Sequence, residues 1–394
     1  MAPLMWAKHI IQGDGSMKCT IENEILTVFP EGRITSDNAP ALTDEVSPFL
    51  EREDFSKIIV DASKLKYISS AGLRLVLKLI KTKRDTRIIN VSHEVYDIFD
   101  TTGFTEMIPV ELAMRKIDIS GAEKIGGGYH SRVYRLDNET IVKVYVNGTS
   151  LENINREMNL AKKAFIAGVP CAITYDVVSV GEYYGVVFEA INAGTLLDYL
   201  VKNPDRLQEV TERYAAFLKE INSQTIAEGT VPDAKEQALE KLDFVREDME
   251  PEIYDKVRAI LLKTEKKDNV VHADCHLGNI MLQDKELVLI DMDTAVMGDS
   301  VYEFAAIFCT YKAFEMHEPG NVKKFLGLEG DLISRLFDRT FDIYFSDLSE
   351  EEKAAKLELI KIIAWAHMLF WVNTYQKDNR EFFDFCYEHL KKAI

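Results

Sequence analysis

The 394-residue chain is 47% hydrophobic and 28% charged, the balance of an ordinary globular protein long enough for two or three domains. Its formal net charge of −18 would repel a phosphate backbone and argues against nucleic-acid binding as the main role. The longest apolar runs, such as Ile362 to Val372, fall well short of the roughly 20 residues that cross a bilayer, so no membrane-spanning helix is predicted.

In chain order, residues 1–16 read as a tail: one Lys, no sustained apolar stretch and no small-residue cleavage site, hence no secretory signal and an expected cytoplasmic location. From Met17, "MKCTIENEILTVFPEGRIT" alternates apolar and polar residues as half-buried strands joined in a hairpin do. Helical spacing in "NAPALTDEVSPFLEREDF" precedes the short apolar strand "KIIVDAS". "SSAGLRLVLKLIKTKR" follows as a helix with Ser69 and Ser70 at its start, then the strand "RIINVS" and the helix "HEVYDIFDTTG", which Gly103 can stop. This alternation predicts a compact α/β domain over residues 17–115.

A second pattern opens at residue 116 and runs to 394. "KIDISGAEKIGGGYHSRVYRLDNETIVKVYV" reads as antiparallel strands around a glycine turn, followed by a helix in "SLENINREMNLAKKAFIAG" and two more strands in "AITYDVVSVGEYYGVVFEAI". Beyond "GTLLDYL" the pattern is mostly helical, interrupted by "VVHADCHLGNIML" and "ELVLIDMD". Cys19, Cys171, Cys275, Cys309 and Cys386 are scattered and form no CxxC pair, which predicts buried free thiols rather than disulfides or structural zinc.

The chemistry-bearing residues lie in this second part. Gly126, Gly127 and Gly128 lack Cβ atoms where backbone N–H groups would meet a polyphosphate, although a plain tight turn has the same look. Lys143 sits among apolar residues on a strand, where an ammonium needs an acidic partner or an anionic ligand, and Glu157 on the next helix is the available partner. Asp274 and Asn279 share one apolar-flanked loop, and Asp291 ends the strand after it. A carboxylate to take a proton and hard oxygen donors for Mg²⁺ are what phosphoryl transfer requires.

With "HADCHLGN" and "LIDMD" in view, the chain from about residue 116 resembles the aminoglycoside phosphotransferase and choline kinase-like enzymes, which share the protein-kinase fold. The resemblance implies a bilobal domain, with an N-lobe over about 116–190, a hinge over about 189–195 and a C-lobe from 196. It implies ATP between the lobes, Lys143 on the α- and β-phosphates with Glu157 supporting it, Asp274 as base, and Asn279 and Asp291 on Mg²⁺. Backbone groups near Glu189 and Ile191 would meet adenine, and Asp198 would stand near the edge of the nucleotide. The third glycine of the kinase loop is Ser131 here, which puts a hydroxyl near the γ-phosphate. Asp293 reads either as a further metal ligand or as a solvated loop acid, His272 and His276 as structural, and Asp299 and Glu303 as braces for the loop. Trp365, His367, Trp371 and Tyr375 lie where related kinases build acceptor pockets, or else belong to the core. An acidic, aromatic pocket would suit an aminoglycoside or amino alcohol.

"IVDASKLKYISSAGLRLVL" resembles the anti-sigma factor antagonist (STAS) family over roughly residues 17–112. The resemblance implies a partner protein of anti-sigma type and a phosphorylated serine at the position of Ser70, although the acid usual before it is Ser69 here. A plain helix cap accounts for Ser70 equally well. The expected fold class is therefore α/β with α+β: a small STAS-type domain followed by a bilobal, kinase-like phosphotransferase domain. The expected activity is ATP- and Mg²⁺-dependent phosphorylation of a small-molecule hydroxyl, with no membrane or nucleic-acid partner. The alternatives are a serine kinase acting on Ser70 or a related domain, and a module that binds a partner while sensing nucleotide.

Overall fold

The alternating residues after Met17 fold as an antiparallel hairpin, β1 (Ser16–Glu22) and β2 (Ile25–Ile34), in a computed structural model that describes residues 15–128, 131–283 and 285–394. Most of the expected N-terminal tail lies outside the described residues. Asn23 and Glu24 both take positive φ (51° and 62°), the backbone that lets a two-residue turn follow the twist of its strands. Chain contacts divide the molecule into a unit ending at Lys116 and one beginning at Ile117.

In the first unit β2 is bent at Gly32, and its two halves take different parallel partners: β3 (Lys57–Asp61) beside Ile25–Val28, and β4 (Lys64–Ile68) beside Glu31–Ile34. Gly32 has φ 75°, which a side chain would strain, and the register shifts there. The sequence analysis assigns no element to Lys64–Ile68, because five residues buried only at Leu65 and Ile68 carry too little pattern. β5 (Thr86–Val91) and β6 (Val110–Leu112) extend the sheet in the order β1-β2-β3-β5-β6. Four helices, α1 (Ala39–Leu50), α2 (Ser70–Thr82), α3 (His93–Thr101) and α4 (Phe104–Met107), complete the unit. Val46, Leu79, Val95 and Phe99 from these helices share one core with Leu26, Val28, Ile58 and Ile88 of the sheet.

After the two-residue β7 (Arg115–Lys116), the second unit opens with β8 (Lys124–Gly127), β9 (Ser131–Arg135) and β10 (Thr140–Tyr145). The helix α5 (Leu151–Ile166) separates these from β11 (Thr174–Val180) and β12 (Tyr183–Glu189). These strands pair antiparallel in the order β11-β12-β10-β9-β8 and have small cores of their own around Val142 and Val187 and around Ile154 and Val186. A larger helical core follows, built from α6 (Leu196–Lys202), α7 (Leu207–Ser223), α8 (Ala234–Phe244) and α9 (Pro251–Leu262) before the loop region, and from the helices after it. Two small pairs, β13 (Val270–Val271) with β16 (Val296–Met297) and β14 (Ile280–Gln283) with β15 (Glu286–Leu289), hold the segment that carries Asp274, Asn279 and Asp291. The C-terminal part contains α10 (Ser300–Phe308), a single π-helical turn (Cys309–Ala313), α11 (Phe314–His317), α12 (Asn321–Leu326), α13 (Gly330–Tyr344), α14 (Glu350–Tyr375) and α15 (Arg380–Ala393). The separate cores of sheet and helices give the bilobal, kinase-like organisation, and with the small α/β unit before it the fold class is the mixed one expected. Among the described residues no helix is long and apolar enough to cross a membrane.

Candidate active site

Two acids and one lysine, remote in sequence, meet on the sheet that carries the glycine turn. Lys143 on β10 donates to Glu157 Oε1 on α5 at 2.8 Å and to Asp291 Oδ1 at 2.7 Å. The side chains of Lys143 and Glu157 are 15% and 12% exposed, against 41% for Asp291, so the pair is inside and the third partner faces the cleft. Burial alone would lower the Lys143 pKa, but the charges of Asp291 and Glu157 outweigh it and hold the ammonium above its ordinary value.

Asp291 is aimed by its backbone. It follows β15 in the left-handed region (φ 65°), and its carbonyl accepts from His272 Nε2 at 2.8 Å. His272 is fully buried and its Nδ1 accepts the Asp274 N–H at 3.2 Å, so one imidazole ties the two acidic segments together. Asn279 Nδ2 donates to the Asp274 backbone oxygen at 2.9 Å and to its carboxylate at 3.2 Å, which leaves the amide oxygen of Asn279 free to accept or ligate.

Burial, then the charges of Asp291 and Asp293, push the Asp274 carboxyl up to about 7. Asp293 is also pushed up to about 7, first by desolvation and then by Asp291. Asp293 is exposed and lines the same cavity as Asp274. These acids repel one another, and hard oxygen donors crowded in this way fit a small divalent cation.

The histidines are structural, as expected. Both ring nitrogens of His272 are engaged, so the buried group His272, Cys275 and Glu303 offers a metal no imidazole lone pair. His276 Nδ1 accepts the Gly278 N–H at 3.1 Å, and burial followed by His272 pushes its pKa down to about 4. Glu303 does brace the loop, accepting the His272 N–H at 2.7 Å. Asp299 instead caps α10 through Val301 and pairs with Lys267 at 2.7 Å. Two residues that carry no signal in the sequence complete the support. Tyr311, on the π-helical turn, accepts the Leu277 N–H at 2.9 Å, and the buried Tyr214 hydroxyl donates to the Cys275 carbonyl.

The glycine turn divides by residue. Gly127 has φ 139°, and a Cβ there would stand 2.7 Å from the Ser131 carbonyl, so glycine is needed for the turn itself. Among the described residues a Cβ at Gly128 would meet nothing within 4 Å. The Gly128 N–H donates to the Ser131 carbonyl at 3.0 Å, and Gly126 and Ser131 lie on the paired strands β8 and β9. At the hinge the Glu189 N–H is taken by the Ile173 carbonyl, whereas the Ile191 N–H has no acceptor among the described residues. Asp198 is accounted for differently from the expectation: its Oδ2 accepts from Thr195 N and Oγ1 at 2.9 and 2.8 Å in the capping box of α6, so this carboxylate serves the helix end.

A cavity of about 440 Å³ opens on Asp274 and Asp293 and is lined by His367 and Trp371. Of the other two aromatics considered, Trp365 is core (2% exposed) and Tyr375 lies on the surface (65%). Among the described residues its wall carries two acids, Asp274 and Asp293, and two cations, Arg156 and Lys241, so it is mixed in charge. In the first unit Ser69, not Ser70, caps α2, accepting the Gly72 N–H at 3.4 Å. Ser70 is the exposed first residue of the helix.

The family model for the phosphotransferase enzyme family (APH) matches residues 121–324, and that for the STAS domain matches residues 16–117. Among curated proteins, BtrV of Bordetella bronchiseptica, named as an anti-sigma factor antagonist, is 30% identical over 100 residues, 24% of this chain and 85% of the relative. Among solved structures, ADP-bound aminoglycoside phosphotransferase APH(2'')-Ib is 15% identical with a TM-score of 0.47, covering 75% of this chain and 96% of its own. An anti-sigma factor antagonist from Thermotoga maritima is 16% identical with a TM-score of 0.23, covering 24% of this chain and 85% of its own.

Proposed function

The chain belongs to the phosphotransferase enzyme family and carries a STAS domain ahead of its catalytic part, and from that premise we propose that it moves the γ-phosphate of ATP to a hydroxyl of a small molecule. The observation that carries the reading is the convergence of Lys143, Glu157 and Asp291 beside the hydrogen-bonded pair Asp274 and Asn279. Lys143, steadied by Glu157, binds the α- and β-phosphates. The open Ile191 N–H and the Glu189 backbone receive adenine, and the Gly126–Gly128 turn with Ser131 covers the phosphates. The Asn279 amide oxygen and the Asp291 carboxylate would hold Mg²⁺, which when bound supplies charge neutralisation at the phosphates.

Asp274 receives the proton of the acceptor hydroxyl. The acceptor oxygen forms its bond to the γ-phosphorus, the bond from that phosphorus to the β–γ bridging oxygen breaks, and ADP leaves with the electron pair. A carboxyl whose pKa is pushed towards neutral pH is a fitting base, because a share of it is ionised there and it is more basic than an ordinary carboxylate. The STAS domain serves regulation or capture of an anti-sigma-type protein. The test is a panel of hydroxyl acceptors incubated with labelled ATP and magnesium. Transfer to a small molecule that Asp274→Asn abolishes supports the reading, and an unchanged rate in that variant removes Asp274 from the role of base.

The exposure of Ser70 favours one second reading, a serine kinase acting on this or a related domain. Phosphoserine at Ser70 formed by the chain itself, without transfer to any small acceptor, would favour it. Nucleotide binding with no transfer at all would leave a sensing module.

A further inference from the structure

The catalytic roles above use no cation on the acceptor side of Asp274, yet the cavity there contains two, Lys241 of α8 and Arg156 of α5. Lys241 Nζ lies 3.3 Å from His367 Nδ1 and 5.8 Å from the centre of the Phe370 ring. Among the described residues no carboxylate lies within ion-pair distance of either Lys241 or Arg156. Burial and then the Lys241 charge push His367 down to about 3, so the imidazole is neutral and its Nδ1 accepts from the ammonium. Burial likewise keeps the neighbouring Cys309 a thiol. The ammonium is therefore surrounded by neutral groups, in a wall whose burial lowers its own pKa.

A charge drawn out of water without a counter-charge is costly, and an anion delivered by a ligand offsets that cost. The cavity is of a size usual for small-molecule sites, which run to roughly 300–1,000 Å³. Trp371 and Tyr302 are among its lining residues. A second cavity of about 600 Å³ also reaches Asp274, but there the wall lysine, Lys324, is already paired with Glu318. Amines of a polycationic acceptor that came against Lys241 and Arg156 in the first cavity would be opposed by like charge.

We propose that the acceptor is a hydroxy compound bearing an anionic group, a carboxylate or a phosphate, which Lys241 and Arg156 hold while its hydroxyl faces Asp274. This rests on the phosphotransfer reading, and the bonds made and broken are those given there.

The test uses the full chain with magnesium and a non-hydrolysable ATP analogue, with binding followed by ligand-observed NMR. Glycerate and ribose 5-phosphate serve as anionic probes, glycerol and ribose as their neutral counterparts, and 2-amino-1,3-propanediol and kanamycin as cationic ones. The anionic probes are expected to bind most tightly. Lys241→Met should weaken them about tenfold or more, and Lys241→Arg, which keeps the charge, should restore most of the loss. Tighter binding of the cationic probes, or anionic binding that Lys241→Met leaves unchanged, overturns the proposal, as does absence of anionic binding. With ATP in place of the analogue, anion binding that depends on Lys241 without phosphorylation of any probe or of Ser70 would count against the phosphotransfer reading while the anionic site stands.

Discussion

Lys143 and Lys241 are both drawn into the second unit, and their surroundings send them in opposite directions. Lys143 meets two carboxylates at hydrogen-bond distance and is held charged beyond the ordinary lysine range. Lys241 meets a ring nitrogen, an aromatic face and a thiol, and burial lowers it. The contrast teaches that the partners, not the residue type, decide what a buried cation is for. In the proposed phosphotransfer one completes a set that neutralises phosphate charge, and the other awaits the proposed anionic acceptor.

The two regions meet at Asp274, so the largest expected effect is there. Asp274→Asn should lower the rate of transfer by about 10²–10⁴-fold while nucleotide and anion binding persist, measured as product formation beside binding titrations. If anion binding fell along with the rate, the two regions would not be separable. Next in size is Lys143→Met, which strands two acids. With Asp291 partly solvated, the cost to folding is about 2 kcal/mol, seen as a lowered unfolding midpoint in urea.

The same change at Lys241 should have the opposite sign. Lys241→Met removes a charge that nothing balances and should stabilise the ligand-free chain by up to about 1 kcal/mol. A fall in stability equal to that of Lys143→Met would erase the comparison. This gain should shrink with pH. Because the folded-state pKa of Lys241 is lowered, the folded chain binds fewer protons than the unfolded one between that value and 10.5, so wild-type stability rises across that window and approaches the variant's. Cys309 ionises in the unfolded chain before the folded one, so the measure is the difference between wild type and variant, in which contributions common to both chains cancel. The smallest effect is His367→Phe, which deprives the ammonium of its hydrogen bond at about 1 kcal/mol or less, and which should cost almost nothing when combined with Lys241→Met.

Much of the catalytic set was legible in the sequence, because its members break local rules: Lys143 in an apolar strand, and Asp274 and Asn279 on a loop with apolar flanks on both sides. Asp198 shows the limit of such reading, since an acid three residues after a threonine is equally the mark of a capping box, and that is how α6 uses it. The acceptor side had no such mark. Lys241 lies in "AKEQALEKLDF", where every charged residue reads as surface, and only the fold of α8 against α14 turns this one towards a cavity. Trp365 and Trp371 are equivalent as text, yet one is core and the other lines the site. Tyr311 was invisible because a π-helical turn, which shifts the facing of each residue after it, leaves no pattern in composition.

By itself the sequence determined the two-part organisation, the alternation that makes the first sheet and its helices, and the identity of the groups that can handle a phosphate, since each depends on local periodicity or on residue chemistry. The tertiary structure alone decided that Lys143 is shared by Glu157 and Asp291, that His272 links the two acidic segments, and that Lys241 and Arg156 reach the cavity beside Asp274. Ion pairing and desolvation are set by distances through space, and those exist only once strands and helices distant along the chain have packed together.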